Sequence, residues 1–361
     1  LPSGQPASFF IGQLDATSKK QNHLVTTANT FNEPHHAFSN GTNLIVSDTL
    51  NNRVLIWKTM PKFSMQSADF VLGQSSFETN RIGFTATSFY SPYKSMIVAN
   101  KLFVLDINNH RILGWNSIPT TSNVPADFAL GQTDLNSRTE NTTNISGSTL
   151  YFPIDMYSDG TKFFVADGSN SRILVWNTIP TTNAAPATYA IGQPDLLTRT
   201  MNHGGLSATS LSIPSSVTML GEKLVIGDAA NGRILIWNTV PSNATTAANS
   251  IIGLANFTTP IQGSPSFGSS TLTAYFNVAT SDNKIYAVDR FANRILVWNQ
   301  IPPSGTTGAD TLLGQPNFTS TSPNAGGISE ETLYEPFSFF GTDRFDIVAD
   351  GRNHRVIIRS K

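Results

Sequence analysis

The chain of 361 residues carries a net charge of −1 and no cysteine. Near-neutral balance excludes a general electrostatic affinity for nucleic acid or anionic membrane, and the missing thiols exclude disulfides, zinc ribbons and cysteine nucleophiles. Charged residues are 13% of the chain, about half of the roughly 25% usual in soluble domains, and no apolar run reaches the ~18 residues of a spanning helix. The first residue is Leu1 rather than Met, so a processed or trimmed form is expected. Loops rich in Thr, Ser, Asn and Gly point to an exported protein.

An isolated apolar run, Ser8 to Gln13, comes first. From Asp48 onward a signature, D-x-x-N-x-R, recurs to the end of the chain. Its aspartates are Asp48, Asp106, Asp167, Asp228, Asp289 and Asp350; its arginines are Arg53, Arg111, Arg172, Arg233, Arg294 and Arg355. The arginines are spaced by 58 residues once and by 61 four times, which identifies an array of repeats. Within one repeat four short apolar runs are bounded by turn residues, the pattern of strands. In the third repeat they are Ile154 to Tyr157, Phe163 to Ala166, Ile173 to Trp176 and Thr188 to Gln193. The middle two are apolar on both faces and so must be covered on both. Four-stranded units covered by their neighbours are propeller blades.

Other residues keep the same registers. All five tryptophans lie four residues after a signature arginine, where they pack between blades rather than stack on sugars. The sixth repeat ends at Lys361 without a fourth run. The run 8–13 supplies it, so a closed ring is expected, all-β, of six four-stranded blades, in a single monomeric domain spanning 1–361. Closure also removes two exposed sheet edges.

The signature before Ile/Val-Leu, as in Asp350-Gly351-Arg352-Asn353-His354-Arg355-Val356, resembles the NHL repeat. The likeness covers all six repeats and lapses only at Ala292, which replaces the asparagine. Longer connections resemble those of bacterial exported NHL-repeat proteins. The resemblance implies a propeller and leaves its activity open among protein, peptide or RNA binding and metal-dependent lyase or lactonase chemistry, because function belongs to a site and not a scaffold.

A catalytic site is needed once, so the repeated Asp/Arg pair reads as structural. The non-repetitive positions are at the start of each inner strand. One residue after a register held mostly by proline (Tyr275 in the fifth repeat) stand His35, Tyr93, Ile154, Ser215, Phe276 and Phe337. Two residues after it stand His36, Lys94, Asp155, Ser216, Asn277 and Ser338, all polar. Inner strands line the channel, so these residues are expected to converge on its axis beside the long loops. A ring of unlike polar groups there would hold a small polar ligand, a peptide tip or a glycan; it is also what any solvated channel wall needs. No cofactor is expected. His36, Asp155 and Asn277 are weak candidate ligands for a divalent metal, opposed by the charge of Lys94.

Overall fold

A computed structural model of the chain describes residues 9–142, 144–260, 266–273 and 276–361. Ser8 and Tyr275 lie outside them. Six four-stranded antiparallel sheets form a ring. Blades 1 to 5 span residues 34–72, 92–130, 153–191, 214–252 and 276–313. Their strands pair in chain order, and the first strand is innermost, because the six first strands touch one another around the axis. Blade 6 contains Pro336–Gly341, Phe345–Asp350 and Arg355–Ser360, and its fourth, outer strand is Phe9–Ile11. Phe10 pairs with Ile357 and Ile11 with Val356. The protein is thus a six-bladed β-propeller.

The second and third strands of each blade are apolar throughout because both faces meet a neighbouring sheet. Phe103 and Leu105 of blade 2 pack on Val165 and Leu174 of blade 3, and Phe164 of blade 3 packs on Val217 and Ile226 of blade 4. The tryptophans lie in these seams. Each indole Nε1 donates to the carbonyl nine residues on, as Trp176 does to Ala185 at 3.0 Å. That bond satisfies the one polar atom the ring buries.

Blade 3 shows why the signature has its spacing. Strands two and three join through a 3₁₀ turn, Gly168–Asn170, closed by Ser171 in the left-handed conformation. Antiparallel pairing then sets Asp167 opposite Arg172, and Arg172 Nε donates to Asp167 Oδ2 at 2.8 Å. The remaining guanidinium nitrogens donate to carbonyls of two successive long loops, Ser146 and Thr149 before the blade and Leu196 after it. Asp167 Oδ1 accepts the Tyr151 amide, and Oδ2 also accepts Asn170 Nδ2. Asn170 and Asn141 exchange a reciprocal pair of amide bonds. All six arginines and aspartates of the signature are completely buried. Burial pushes each carboxyl up, against the pull of its guanidinium and amide donors. The last clamp crosses the closure: Arg355 Nη1 donates to the Ala16 carbonyl at 2.7 Å.

In five of the six blades, Gly232 of blade 4 being the exception, the left-handed residue before the arginine does a second job. Asn52, His110, Ser171, Asn293 and His354 each accept, through a side-chain atom, the backbone amide that precedes the first strand of the next blade. His354 Nδ1 takes the Glu33 amide at 3.0 Å and so joins blade 6 to blade 1. An imidazole accepts through Nδ1 only when that nitrogen is unprotonated. Burial, reinforced by Arg352, lowers the His354 pKa from 6.5 to about 4.

Two outcomes are expected. Arg172→Lys strands the Asp167 carboxylate and three loop carbonyls, since an ammonium cannot reproduce the guanidinium fork, and lowers stability by about 3–5 kcal/mol in urea unfolding. The folded state takes up the His354 proton only near pH 4, whereas the unfolded chain does so near 6.5. Stability from this residue is therefore complete above about pH 6.5 and is lost as pH falls towards 4. His354→Asn keeps the acceptor, as Asn52 and Asn293 do, without titrating. The stability difference between wild type and this variant should fall, on the order of 2–3 kcal/mol, between pH 7.5 and 4.

Candidate functional site

One face of the ring bears the signature turns, the long interblade loops and the beginnings of the inner strands; it is called upper here. The lower face bears the hairpin turns between first and second strands. Along the axis are two chambers and, between them, a belt of polar side chains.

The upper chamber has a volume of about 380 Å³. Its walls are mainly apolar, with Ile107, Phe152, Ile154, Ile213 and Phe276 prominent, and its polar side chains are Ser169, Ser215, Asn277, Arg290 and the phenol of Tyr93. Tyr93 and Phe337 complete one side. Behind them His35 lies flat on Phe337, with centroids 3.5 Å apart, and meets Tyr93 edge-on at 4.6 Å. His35 is 9% exposed and neither ring nitrogen has a hydrogen-bond partner among the described residues. Burial, with Arg290 and Arg352 nearby, holds its pKa well below 6.5, so the ring is neutral and packs as an aromatic.

The belt consists of the residues two places after the proline register, and they do not behave alike. Asp155 does not point into an open channel: it is 1% exposed and bonded on every side. Its Oδ1 accepts Lys94 Nζ at 2.5 Å and the Met156 amide at 2.9 Å, and its Oδ2 accepts the Val217 amide of blade 4. Ser216, wholly buried, accepts the Val278 amide of blade 5 at 3.0 Å. Both therefore depart from the expected convergence on the axis. The physical reason is the inner edge of each first strand, which is paired with the second strand on its other side only. An amide on that edge has no strand partner and takes a side-chain acceptor from the preceding blade instead. Ser338 is 4% exposed, with no partner for its hydroxyl among the described residues. His36, Lys94 and Asn277 face the lower chamber, and Asn277 also lines the upper one.

Of the weak candidate metal ligands His36, Asp155 and Asn277, Asp155 is committed elsewhere. Both Asp155 oxygens are already engaged by an ammonium and two amides. Among the described residues no three His, Cys, Asp or Glu side chains are placed to share a metal ion. Nor is any described helix long and apolar enough to cross a membrane.

Sequence reasoning missed an ion-pair chain at the upper rim. Arg290 makes two bonds to Glu335 Oε2, at 2.9 and 2.6 Å, and stacks over Phe337 at 4.0 Å. Arg352 reaches Glu33 at 2.8 Å and Glu335 at 3.6 Å. The chain ties blades 5, 6 and 1 and fixes the one guanidinium that lines the chamber. Its signal was present as departures from the repeat: Arg290 and Arg352 occupy turn positions held elsewhere by Thr49 or Ser169, and Glu33 and Glu335 directly precede register prolines.

This architecture defines a six-bladed propeller whose axis is plugged midway, with a mostly apolar chamber opening among its long loops. The sequence matches no protein-family model and no curated protein. Among solved structures it is similar to the periplasmic gluconolactonase of Pseudomonas aeruginosa, with 13% identity and a TM-score of 0.53 over 92% of this chain and 82% of that one. It is also similar to a Bacteroides uniformis protein provisionally assigned as a 6-phosphogluconolactonase, with 12% identity and a TM-score of 0.52 over 93% and 83%. At such identities the likeness is one of fold.

Asp155→Ala removes a buried partner from Lys94 and an acceptor from two amides, and should cost about 3–5 kcal/mol in urea unfolding. Asn277→Ala, at a chamber wall, should cost less than about 1 kcal/mol. Equal losses for the two would contradict the division between belt and wall.

Proposed function

We propose that the protein is a non-enzymatic binding propeller that seats an apolar tip of a peptide or protein partner in the upper chamber. The observation that carries this reading is the chamber itself: about 380 Å³, within the range of roughly 300–1,000 Å³ typical of ligand sites, apolar in its walls and sparing in polar groups. A glycan needs a hydrogen-bonding partner for most of its hydroxyls, and Ser169, Ser215, Asn277, Arg290 and the Tyr93 phenol are too few to serve one. An apolar side chain needs only the walls, with a backbone carbonyl left to meet Arg290. The upper face outside the chamber is also unusually apolar for loops, with Leu24, Met201 and Phe291 at 82%, 62% and 50% exposure. Exposed apolar groups gathered on one face favour a protein partner.

The six signature turns support an NHL-type repeat, and the periplasmic location of the similar Pseudomonas protein supports export. The rival reading, a metal-dependent lactonase or lyase at the channel mouth, draws support from the enzymes of similar fold. It requires lone pairs that Asp155 has already committed to Lys94 and two amides.

Peptide selection from a displayed library tests the proposal. Ser169 is exposed and occupies a turn position where Leu50, Phe291 and Arg352 stand in other blades, so Ser169→Trp should fill the chamber without disturbing the fold. Selected peptides are expected to share an aromatic or aliphatic residue and to bind Ser169→Trp at least ~10-fold more weakly, at unchanged melting temperature, a loss of about 1.4 kcal/mol. Equal binding to both proteins would remove the chamber as the site. Gluconolactone hydrolysis that needs an added divalent ion and Asn277 would establish the rival.

A further inference from the structure

The lower chamber is separate from the site proposed above and opens on the opposite face. All six inner strands contribute to this well of about 390 Å³, from Phe38 in blade 1 to Phe340 in blade 6. Its flanks are mainly apolar, with Met96, Met219, Val278 and Phe339 among them. Ser158, Thr218 and Thr280, whose hydroxyls are bonded within the protein, also line it, as does Tyr157. Its ceiling is polar, made of His36, Lys94 and Asn277 from the belt. A well ringed by six strands admits a small molecule end-on and excludes any folded partner.

The ceiling contains an unmet demand. His36 is 6% exposed, and its Nδ1 has no hydrogen-bond partner among the described residues. That nitrogen is shielded from the chamber, whereas the Asn277 carboxamide borders both chambers and makes no side-chain hydrogen bond among the described residues. Native interiors leave few polar groups without a partner, so a polar atom inside the chamber is what this amide is set to meet. Charge decides which kind. The Lys94 ammonium is matched by Asp155 at 2.5 Å. Burial, reinforced by Lys94, keeps the His36 pKa well below 6.5 and the ring neutral. The ceiling therefore carries no net charge, and a carboxylate or ammonium brought under it would lose its hydration with nothing to replace it. A hydroxyl or carbonyl group meets the Asn277 carboxamide without that penalty, while an apolar body fills the flanks.

We propose that the lower chamber is a second ligand site, specific for a neutral, apolar small molecule that carries one hydroxyl or carbonyl group directed at Asn277. Titration calorimetry at pH 7 with two probes of the same two-ring shape tests it: 2-naphthol, which is neutral, and 2-naphthoate, which is an anion. The expected result is saturable one-to-one binding of 2-naphthol, at least ~10-fold tighter than 2-naphthoate. Met219 is half-buried at the chamber wall, and Met219→Trp should abolish that binding while Ser169→Trp, in the upper chamber, retains it. If Met219→Trp unfolds, Ile97→Trp blocks the same well from another blade. Equal or tighter binding of 2-naphthoate, retention in the blocked variants, loss in Ser169→Trp, or no saturable binding by the wild type would each overturn the proposal.

Discussion

The molecule depends on one interaction made six times, the buried clamp between a signature aspartate and arginine. A propeller blade is stable through its covered faces, but the loops between blades have no sheet to hold them. Here each guanidinium is anchored by a carboxylate at a rigid turn and donates to carbonyls from the loop before and the loop after. Loops of about twenty residues thus acquire fixed backbone contacts without a core of their own. The same device takes up a share of the few charged residues in the chain. Twelve of those present are buried in clamps, and the loop surface is left to Thr, Ser, Asn and exposed apolar side chains.

Clamping has a consequence at the axis. With the loops fixed, the inner strands begin at a tight bend. The residues before the register prolines, Glu33, Ser91, Phe152, Ile213 and Glu335, all have φ between +44° and +60°. For a β-branched residue such as Ile213 this region is strained. The bend is held by the side-chain acceptor from the previous blade, and the inner edge of the strand that follows leaves amides to be satisfied sideways. Asp155 and Ser216 do this at the seams of blades 3, 4 and 5. Polar residues at this register are therefore first a structural requirement. Of the three that reach a chamber, His36 meets the Ser95 backbone and Lys94 meets Asp155 of the next blade, and Asn277 makes no side-chain hydrogen bond among the described residues.

That distinction explains what was legible in the sequence. Blade number, strand order and the packing of the tryptophans followed from spacing, because a repeat imposes one solution on every copy. Glycine at Gly73 is an instance: its φ is +86°, and a β-carbon there would strike the Phe89 ring. The direction of a side chain from an inner strand was not legible, since a bulge of one residue reverses it. Periodicity marked Asp155 and Asn277 as equivalent, yet one is a seam acceptor and the other a wall of both chambers. Glu33, Arg290, Glu335 and Arg352 went unnoticed for the opposite reason. Each looks like an ordinary surface charge until the ring brings three blades together.

A ring of near-identical blades has no preferred direction, so any specific site must come from departures from the repeat. They are concentrated on the arc that runs from blade 4 through blades 5 and 6 to blade 1. In blade 5 Ala292 removes the asparagine that elsewhere braces the clamp, and at the exit of blade 4 Leu254 replaces the glutamine that in other blades ties the left-handed residue to its loop. On the same arc the Arg290–Glu335–Arg352–Glu33 chain substitutes ionic bonds between blades for those amide bonds within them. Half-buried ion pairs hold their geometry while keeping a guanidinium at the chamber edge, which a fully buried clamp arginine cannot do. Loss of local bracing and gain of an accessible cation thus occur together, on the side of the ring where the upper chamber takes Phe276, Asn277, Arg290 and Phe337 from two adjacent blades.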